Sequence, residues 1–150
     1  MKVCLIGGGN LSHALISAAN FEYVSLVTSK PNKFKNQIKK YLGIDKVMNY
    51  YGMAEQTGSI FFECKEGYFH NSNFSEILIR DKNFNLCKFG EEGLVQTISI
   101  LPKSYPGHNF ITEDIGVIYG ENDCKCGRIG KYFKIIGRVE HAELRGCSDV

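Results

Sequence analysis

The hydrophobic period of this sequence changes at Gly43, and that change restricts the folds open to it. Before Gly43 the pattern alternates between strand and helix. Met1 to Ile6 reads as a buried strand and Leu11 to Asn20 as a helix with Leu11, Leu15 and Ala18 on one face. Tyr23 to Thr28 reads as a second strand. Lys33 to Leu42 reads as an amphipathic helix that sets Phe34, Ile38, Tyr41 and Leu42 against a lysine-rich, solvated face. After Gly43 the period shortens. Val47 to Tyr51, Ser59 to Glu63, Glu76 to Arg80, Leu94 to Leu101, Val117 to Tyr119 and Tyr132 to Ile136 read as strands, with turn residues at Gly67, Asn71 to Asn73, Asp81 to Asn85 and Gly90 to Gly93. The fold class predicted is α/β (α+β), a short strand–helix–strand start followed by a β-rich remainder.

Composition removes several classes of function. Eighteen basic against 16 acidic residues leave a formal charge of +2, too even for a binder that grips nucleic acid by charge. No apolar run reaches the roughly 18–20 residues of a membrane helix, and Val3 to Ile6 is too short for a secretory leader core. A cytoplasmic chain without nucleic-acid or membrane partners is the expectation. Its six cysteines (Cys4, Cys64, Cys87, Cys124, Cys126 and Cys147) are then thiols, metal ligands or a nucleophile rather than disulfides.

Gly7-Gly8-Gly9-Asn10-Leu11-Ser12 follows a strand and opens a helix, where backbone N–H groups can hold a phosphate. It reads G-x-G-x-x-S, without the third glycine of a dinucleotide fingerprint. Thr28, Ser29 and Lys30 stand where an acidic ribose ligand would be. Met1 to Phe34 resembles the opening strand–helix–strand of NADP-type dehydrogenases such as opine or ketopantoate reductases. A tight strand-to-helix turn is the preferred reading, and NADP is not an expected cofactor.

A sharper pattern begins at Asn49-Tyr50-Tyr51-Gly52-Met53-Ala54-Glu55-Gln56-Thr57. It is followed by Thr112-Glu113-Asp114-Ile115-Gly116 and Ile136-Gly137-Arg138-Val139-Glu140, about 60 and 24 residues further on in turn. These resemble, in order, the Y-G-x-[TSA]-E core, the T-G-D-x-G segment and the G-R-x-[DE] hinge motif of adenylate-forming enzymes. The match departs at Glu113, where glycine is usual. Further stretches, Tyr51 to Cys64, Gly67 to His70, Cys124-Lys125-Cys126-Gly127-Arg128 and Ala142 to Asp149, resemble the C-terminal part of the LuxE-type acyl-protein synthetases. On this reading residues 33–150 are LuxE-like, and residues 1–32 are either a Rossmann-like start or a remnant of the superfamily's adenine-side segment.

The resemblance implies ATP and Mg²⁺ as cofactors and a long-chain fatty acid, or another carboxylic acid, as substrate. Activation as an acyl-adenylate would precede transfer to a cysteine. Tyr51 would lie near adenine, Gly52 would let the backbone approach the nucleotide, Glu55 would hold Mg²⁺, and Thr57 would donate to a phosphate. Asp114 would grip the ribose hydroxyls, and Arg138 would face ribose or phosphate. Cys147, with Arg145 nearby to favour its thiolate, is either the acyl acceptor or an inert thiol. The superfamily's Gly/Ser/Thr-rich phosphate loop and lysine-bearing lid have no counterpart here, so the fold is expected to be incomplete. Activity of the chain alone is an open question, and a separate N-terminal half or an acyl reductase is a candidate protein partner. The alternative functions are a non-catalytic binding module or remnant that docks on such a partner and, behind it, an NADP-binding dehydrogenase-like protein. Cys124-x-Cys126 could join Cys64, His70, His108 or Cys147 around zinc, but C-x-C is tighter than the usual structural spacing. A turn capped by Gly127 is preferred, and zinc is not an expected cofactor. Of the histidines, His70 is expected nearest the site.

Overall fold

The computed structural model describes residues 2–6, 23–27 and 48–140. The expected helices over 11–20 and 33–42, the Gly7 to Ser12 turn, Thr28 to Lys30 and Cys147 lie outside the described residues. Strands β1 (Lys2–Ile6) and β2 (Tyr23–Val27) pair in parallel, with Lys2 opposite Tyr23 and Ile6 opposite Val27. A parallel pair needs a crossover, which the intervening 16 residues can supply.

The β-rich remainder holds two antiparallel sheets. The smaller pairs β3 (Tyr50–Tyr51) with β4 (Phe61–Phe62), and a single 3₁₀ turn, Ala54–Gln56, lies in the loop between them. The larger has five strands in the order β5-β9-β8-β7-β6: β5 (Phe69–His70), β6 (Ser75–Arg80), β7 (Glu92–Ser99), β8 (Asn109–Glu121) and β9 (Lys131–Arg138). Apart from the short β5, this sheet is a meander, each strand pairing with its successor in sequence.

β6 shows why the period of two was readable. Ser75, Ile77 and Ile79 are buried, and Glu76, Leu78 and Arg80 between them are half-buried. β8 behaves differently. Its first half alternates, then Gly116, Val117 and Ile118 are buried in succession. Shifts in the pairing with β9 fall between Ile115 and Gly116 and between Ile118 and Gly120. Such irregularities re-aim side chains and add twist. The shift also crowds Gly116. A Cβ there would lie 2.8 Å from Val95 Cγ2 and 3.0 Å from the Lys134 carbonyl oxygen, so the backbones meet where only hydrogen fits.

The core gathers Phe61, Phe69, Ile77, Ile79, Val95, Ile118 and Phe133, with Tyr51, Cys87 and Ile135 packed against it. Phe133 is its hub. Its ring lies 5.4 Å from Phe61, 5.6 Å from Phe69 and 6.2 Å from Tyr51, edge-on to Phe61 and Tyr51. Phe61 comes from the small sheet and Phe69 and Phe133 from the large one, so these contacts fasten the two sheets together.

Replacing Phe133 with Ala should cost about 3–5 kcal/mol, because the cavity borders three aromatic rings that cannot all collapse into it. Urea denaturation followed by circular dichroism reads this as a lower midpoint at unchanged slope. A loss under about 1 kcal/mol would mean that the two sheets are held by something other than this cluster.

Candidate functional site

Three of the sequence motifs meet at one carboxylate. Asp114 lies on β8 and its register partner on β9 is Arg138. The 24-residue gap between them is therefore the two arms of a hairpin and its loop. Cross-strand partners in an antiparallel pair share a face, which brings the two side chains together. Arg138 Nε lies 3.3 Å from Asp114 Oδ1. The Tyr51 hydroxyl, 63 residues away in sequence, donates to Asp114 Oδ2 over 2.8 Å. The backbone N–H of Asp114 donates to Thr112 Oγ1, whose own hydroxyl donates to the Val95 carbonyl. Both carboxylate oxygens are thus engaged, while the side chain keeps 23% of its surface exposed. A carboxylate has about four acceptor positions, so two remain for further donors.

Tyr51 is positioned by packing as much as by this bond. Its ring sits 5.9 Å from Phe61 and 6.3 Å from Phe69. Burial, and then the negative charge of Asp114, push its phenol well above the ordinary 10.0. Tyr51 is therefore a hydrogen-bond donor throughout the physiological range. Its ring packs in the aromatic core and its hydroxyl bonds to Asp114.

Glu113 was the one departure within the T-G-D-x-G match, and it has a partner. Its Oε2 accepts from Arg138 Nη2 over 2.9 Å, and its carbonyl accepts from the Val139 N–H. Arg138 is thereby shared between two neighbouring carboxylates.

The Met53 to Thr57 segment owes its position to a residue that the sequence reading assigned no role. Gln56 is fully buried, and its Nε2 donates to the carbonyl of Gly107 at 3.0 Å and to that of Thr97 at the limit of 3.5 Å. No sequence pattern marked it, since its neighbours Glu55 and Thr57 are polar too and both face solvent. Glu55 presents an oxygen donor in the first turn, which suits a hard cation. The Thr57 hydroxyl donates to the Ala54 carbonyl, and the Thr57 N–H donates to the Tyr105 hydroxyl. Gly52 lies against the chain itself: a Cβ there would come 3.1 Å from the Ser59 carbonyl oxygen.

A second constellation is interleaved with these residues in sequence. Cys64, His70, Cys124 and Cys126 bring their sulfur and ring-nitrogen atoms within 4.8 Å of one another. His70, expected beside the motif block, belongs to this cluster, and its ring stacks on Tyr132. Burial, and then the charge of Arg128, hold His70 below the ordinary histidine value. Burial pushes the Cys124 thiol up to about 11. On Cys126 burial also works upward, but the Arg128 N–H and the neighbouring thiols outweigh it and the thiol falls below its usual value. The expected turn at Gly127 is present, its N–H donating to the Cys124 carbonyl at 2.9 Å. Among the described residues, no helix is long and apolar enough to cross a membrane.

A sequence model of the family described as "Acyl-protein synthetase, LuxE" matches residues 17–150. Among solved structures, 2-hydroxyisobutyryl-CoA ligase in complex with 2-HIB-AMP and CoA aligns with a TM-score of 0.69 at 18% identity, over 92% of this chain and 34% of that one. Apo MatB from Rhodopseudomonas palustris aligns at 0.59 and 16% identity, over 91% and 31%. The apo structure of MbtA from Mycobacterium smegmatis aligns at 0.57 and 17%, over 91% and 29%. At this identity the likeness is one of fold: this is the fold of part of an adenylate-forming ligase's large domain. The chain spans about a third of the length of these proteins. No curated protein sequence matches it.

The Tyr51→Phe variant isolates the bond to Asp114 while keeping the ring. It should lose about 1.5–3 kcal/mol, the usual worth of a hydrogen bond to a charged partner. Because the folded pKa is raised, this contribution is fully present below pH 10 and declines as pH climbs above it. Urea titrations of parent and variant should therefore differ by a constant amount from pH 7 to 9 and converge at higher pH. A difference that grows with pH would contradict the assignment.

Proposed function

Because the chain belongs to the LuxE family of acyl-protein synthetases, we propose that it carries the ribose-binding and hinge portion of an enzyme that activates a carboxylic acid with ATP. The reaction class is nucleophilic attack of the carboxylate on the α-phosphorus, giving an acyl-adenylate and pyrophosphate. A thiol then attacks the acyl carbon and releases AMP. A long-chain fatty acid is the proposed substrate and Cys147 the proposed acceptor. Residues 33–150 are the proposed LuxE-like unit. A separately encoded half or an acyl reductase is the proposed protein partner.

The observation that supports this most is the convergence of Tyr51, Asp114 and Arg138, from three motifs far apart in sequence, on one carboxylate. The chemistry of the donor set fits. Asp114 keeps acceptor capacity for two ribose hydroxyls, and Tyr51 and Arg138 hold its carboxylate in a fixed orientation, so little ordering is left to be done when the sugar arrives. Glu55 offers a solvent-facing carboxylate to Mg²⁺, which would neutralise phosphate charge during the displacement. Tyr51, Gly52 and Thr57 complete the proposed nucleotide surface. On this reading the chain contributes chiefly positioning and charge stabilisation.

Calorimetry of Mg²⁺–ATP on the chain, with and without a fatty acid, tests the proposal. Asp114→Ala should weaken binding roughly 10- to 150-fold, the equivalent of about 1.5–3 kcal/mol. Equal binding by this variant and the parent would sink the ribose assignment. Transfer is read separately, as a hydroxylamine-labile acyl label that the parent acquires and Cys147→Ser does not.

A further inference from the structure

We propose that Cys64, His70, Cys124 and Cys126 form a structural zinc site. The donor set is three sulfurs and one imidazole nitrogen, with ligand atoms mutually within 4.8 Å. Tetrahedral zinc, with bonds of about 2.3 Å to sulfur and 2.0–2.1 Å to nitrogen, needs ligand-to-ligand edges of about 3.5–3.8 Å. The edge between His70 Nε2 and Cys126 Sγ is already 3.3 Å. The remaining edges, none above 4.8 Å, close with shifts of about an ångström.

The backbone is arranged as such sites require. Cys64 opens one turn, in which the Gly67 N–H donates to its carbonyl at 3.0 Å; Gly67 has φ +77°. Cys124 opens a second, closed in the same way by Gly127 at φ +85°. The Arg128 N–H points at Cys126 Sγ over 3.4 Å, a bond that favours a thiolate. Two tight turns thus present sulfur to a common point, and β5 brings His70 to the same place. Soft thiolates with imidazole select zinc over the hard cations. A disulfide would consume two of the three thiols and leave the third beside a buried imidazole, whereas one metal ion engages all four groups.

The role follows from where the ligands come from. Four protein ligands leave no open coordination position, so the ion would be structural. Cys64 follows β4, His70 is on β5, and Cys124 and Cys126 lie in the loop joining β8 to β9. The ion would clamp the β4–β5 connection to the loop end of that hairpin. Asp114 and Arg138 lie toward its other end. β5 is only two residues long, and its Phe69 packs against Tyr51. Metal binding would hold this short edge strand, and through it the ring of Tyr51. This inference is independent of the nucleotide reading.

The test uses the untagged 150-residue chain expressed in zinc-supplemented medium. Elemental analysis should find about one zinc per chain. Zinc-free protein titrated with Co²⁺ should develop thiolate-to-cobalt charge transfer and the visible bands of tetrahedral cobalt. Chelation should lower the melting temperature. Cys126→Ser, at the half-buried ligand, should weaken or abolish the cobalt spectrum, while Cys87→Ser, outside the cluster, should leave it unchanged. A parent chain that folds and melts identically with and without zinc, and gives no cobalt charge transfer, would overturn the proposal. So would a disulfide among Cys64, Cys124 and Cys126 in freshly isolated protein. The parent's own metal content and spectrum decide the matter even if the variants fail to fold.

Discussion

In an antiparallel ladder, a slip of one residue turns every side chain on a strand to the other face. The pairing of β8 with β9 therefore governs which groups can meet. It sets Asp114 across from Arg138 toward one end and Glu121 across from Lys131 at the other, with the cysteine-bearing loop beyond. The two shifts in this ladder are accommodated where glycine allows close backbone contact, as at Gly116 between Val95 and the Lys134 carbonyl. Both constellations of chemically active side chains are thus attached to a single hairpin.

The second organising element is aromatic. Phe133 projects from β9 into a cluster that includes Phe61, Phe69 and Tyr51. Tyr51 belongs to this cluster by its ring and to the polar site by its hydroxyl. Packing and hydrogen bonding therefore specify the same rotamer. That redundancy is how a solvent-facing carboxylate acquires a fixed geometry from a hydrophobic core. Gln56 does the same for its loop, with a buried amide anchoring exposed neighbours.

Much of this was legible in the sequence. β6 followed from alternation and flanking turn residues, β7 was placed at Leu94 to Leu101 but runs from Glu92 to Ser99, and the family followed from the order of three motifs. The extent of β8 was not legible. Only Val117 to Tyr119 read as strand, because the exposed positions in the first half of β8 mix polar and apolar residues (Asn109, Ile111 and Glu113) and blur the alternation. Of the strand assigned to Val47 to Tyr51, β3 comprises Tyr50 and Tyr51, with the neighbouring Asn49 carbonyl accepting from the Glu63 N–H; Val47 lies outside the described residues. That Tyr51 bonds to Asp114 was also hidden, because spacing along a chain does not report which loops return to the same face. The thiol–imidazole cluster was legible in part: Cys64 and His70 stood with His108 and Cys147 as candidates to join the C-x-C pair, and spacing along the chain could not choose among them.

The shared pairing of Arg138 bears on what this surface can attract. One guanidinium lies between the carboxylates of Glu113 and Asp114, so these three groups together carry an excess of negative charge. Glu113 is the source of that excess. An anion approaching Arg138 must displace a tethered competitor whose effective concentration is set by the covalent chain rather than by solution. Under the proposed function, this charge pattern favours neutral hydroxyl donors over bare phosphates, and phosphates that arrive with a cation over those that do not.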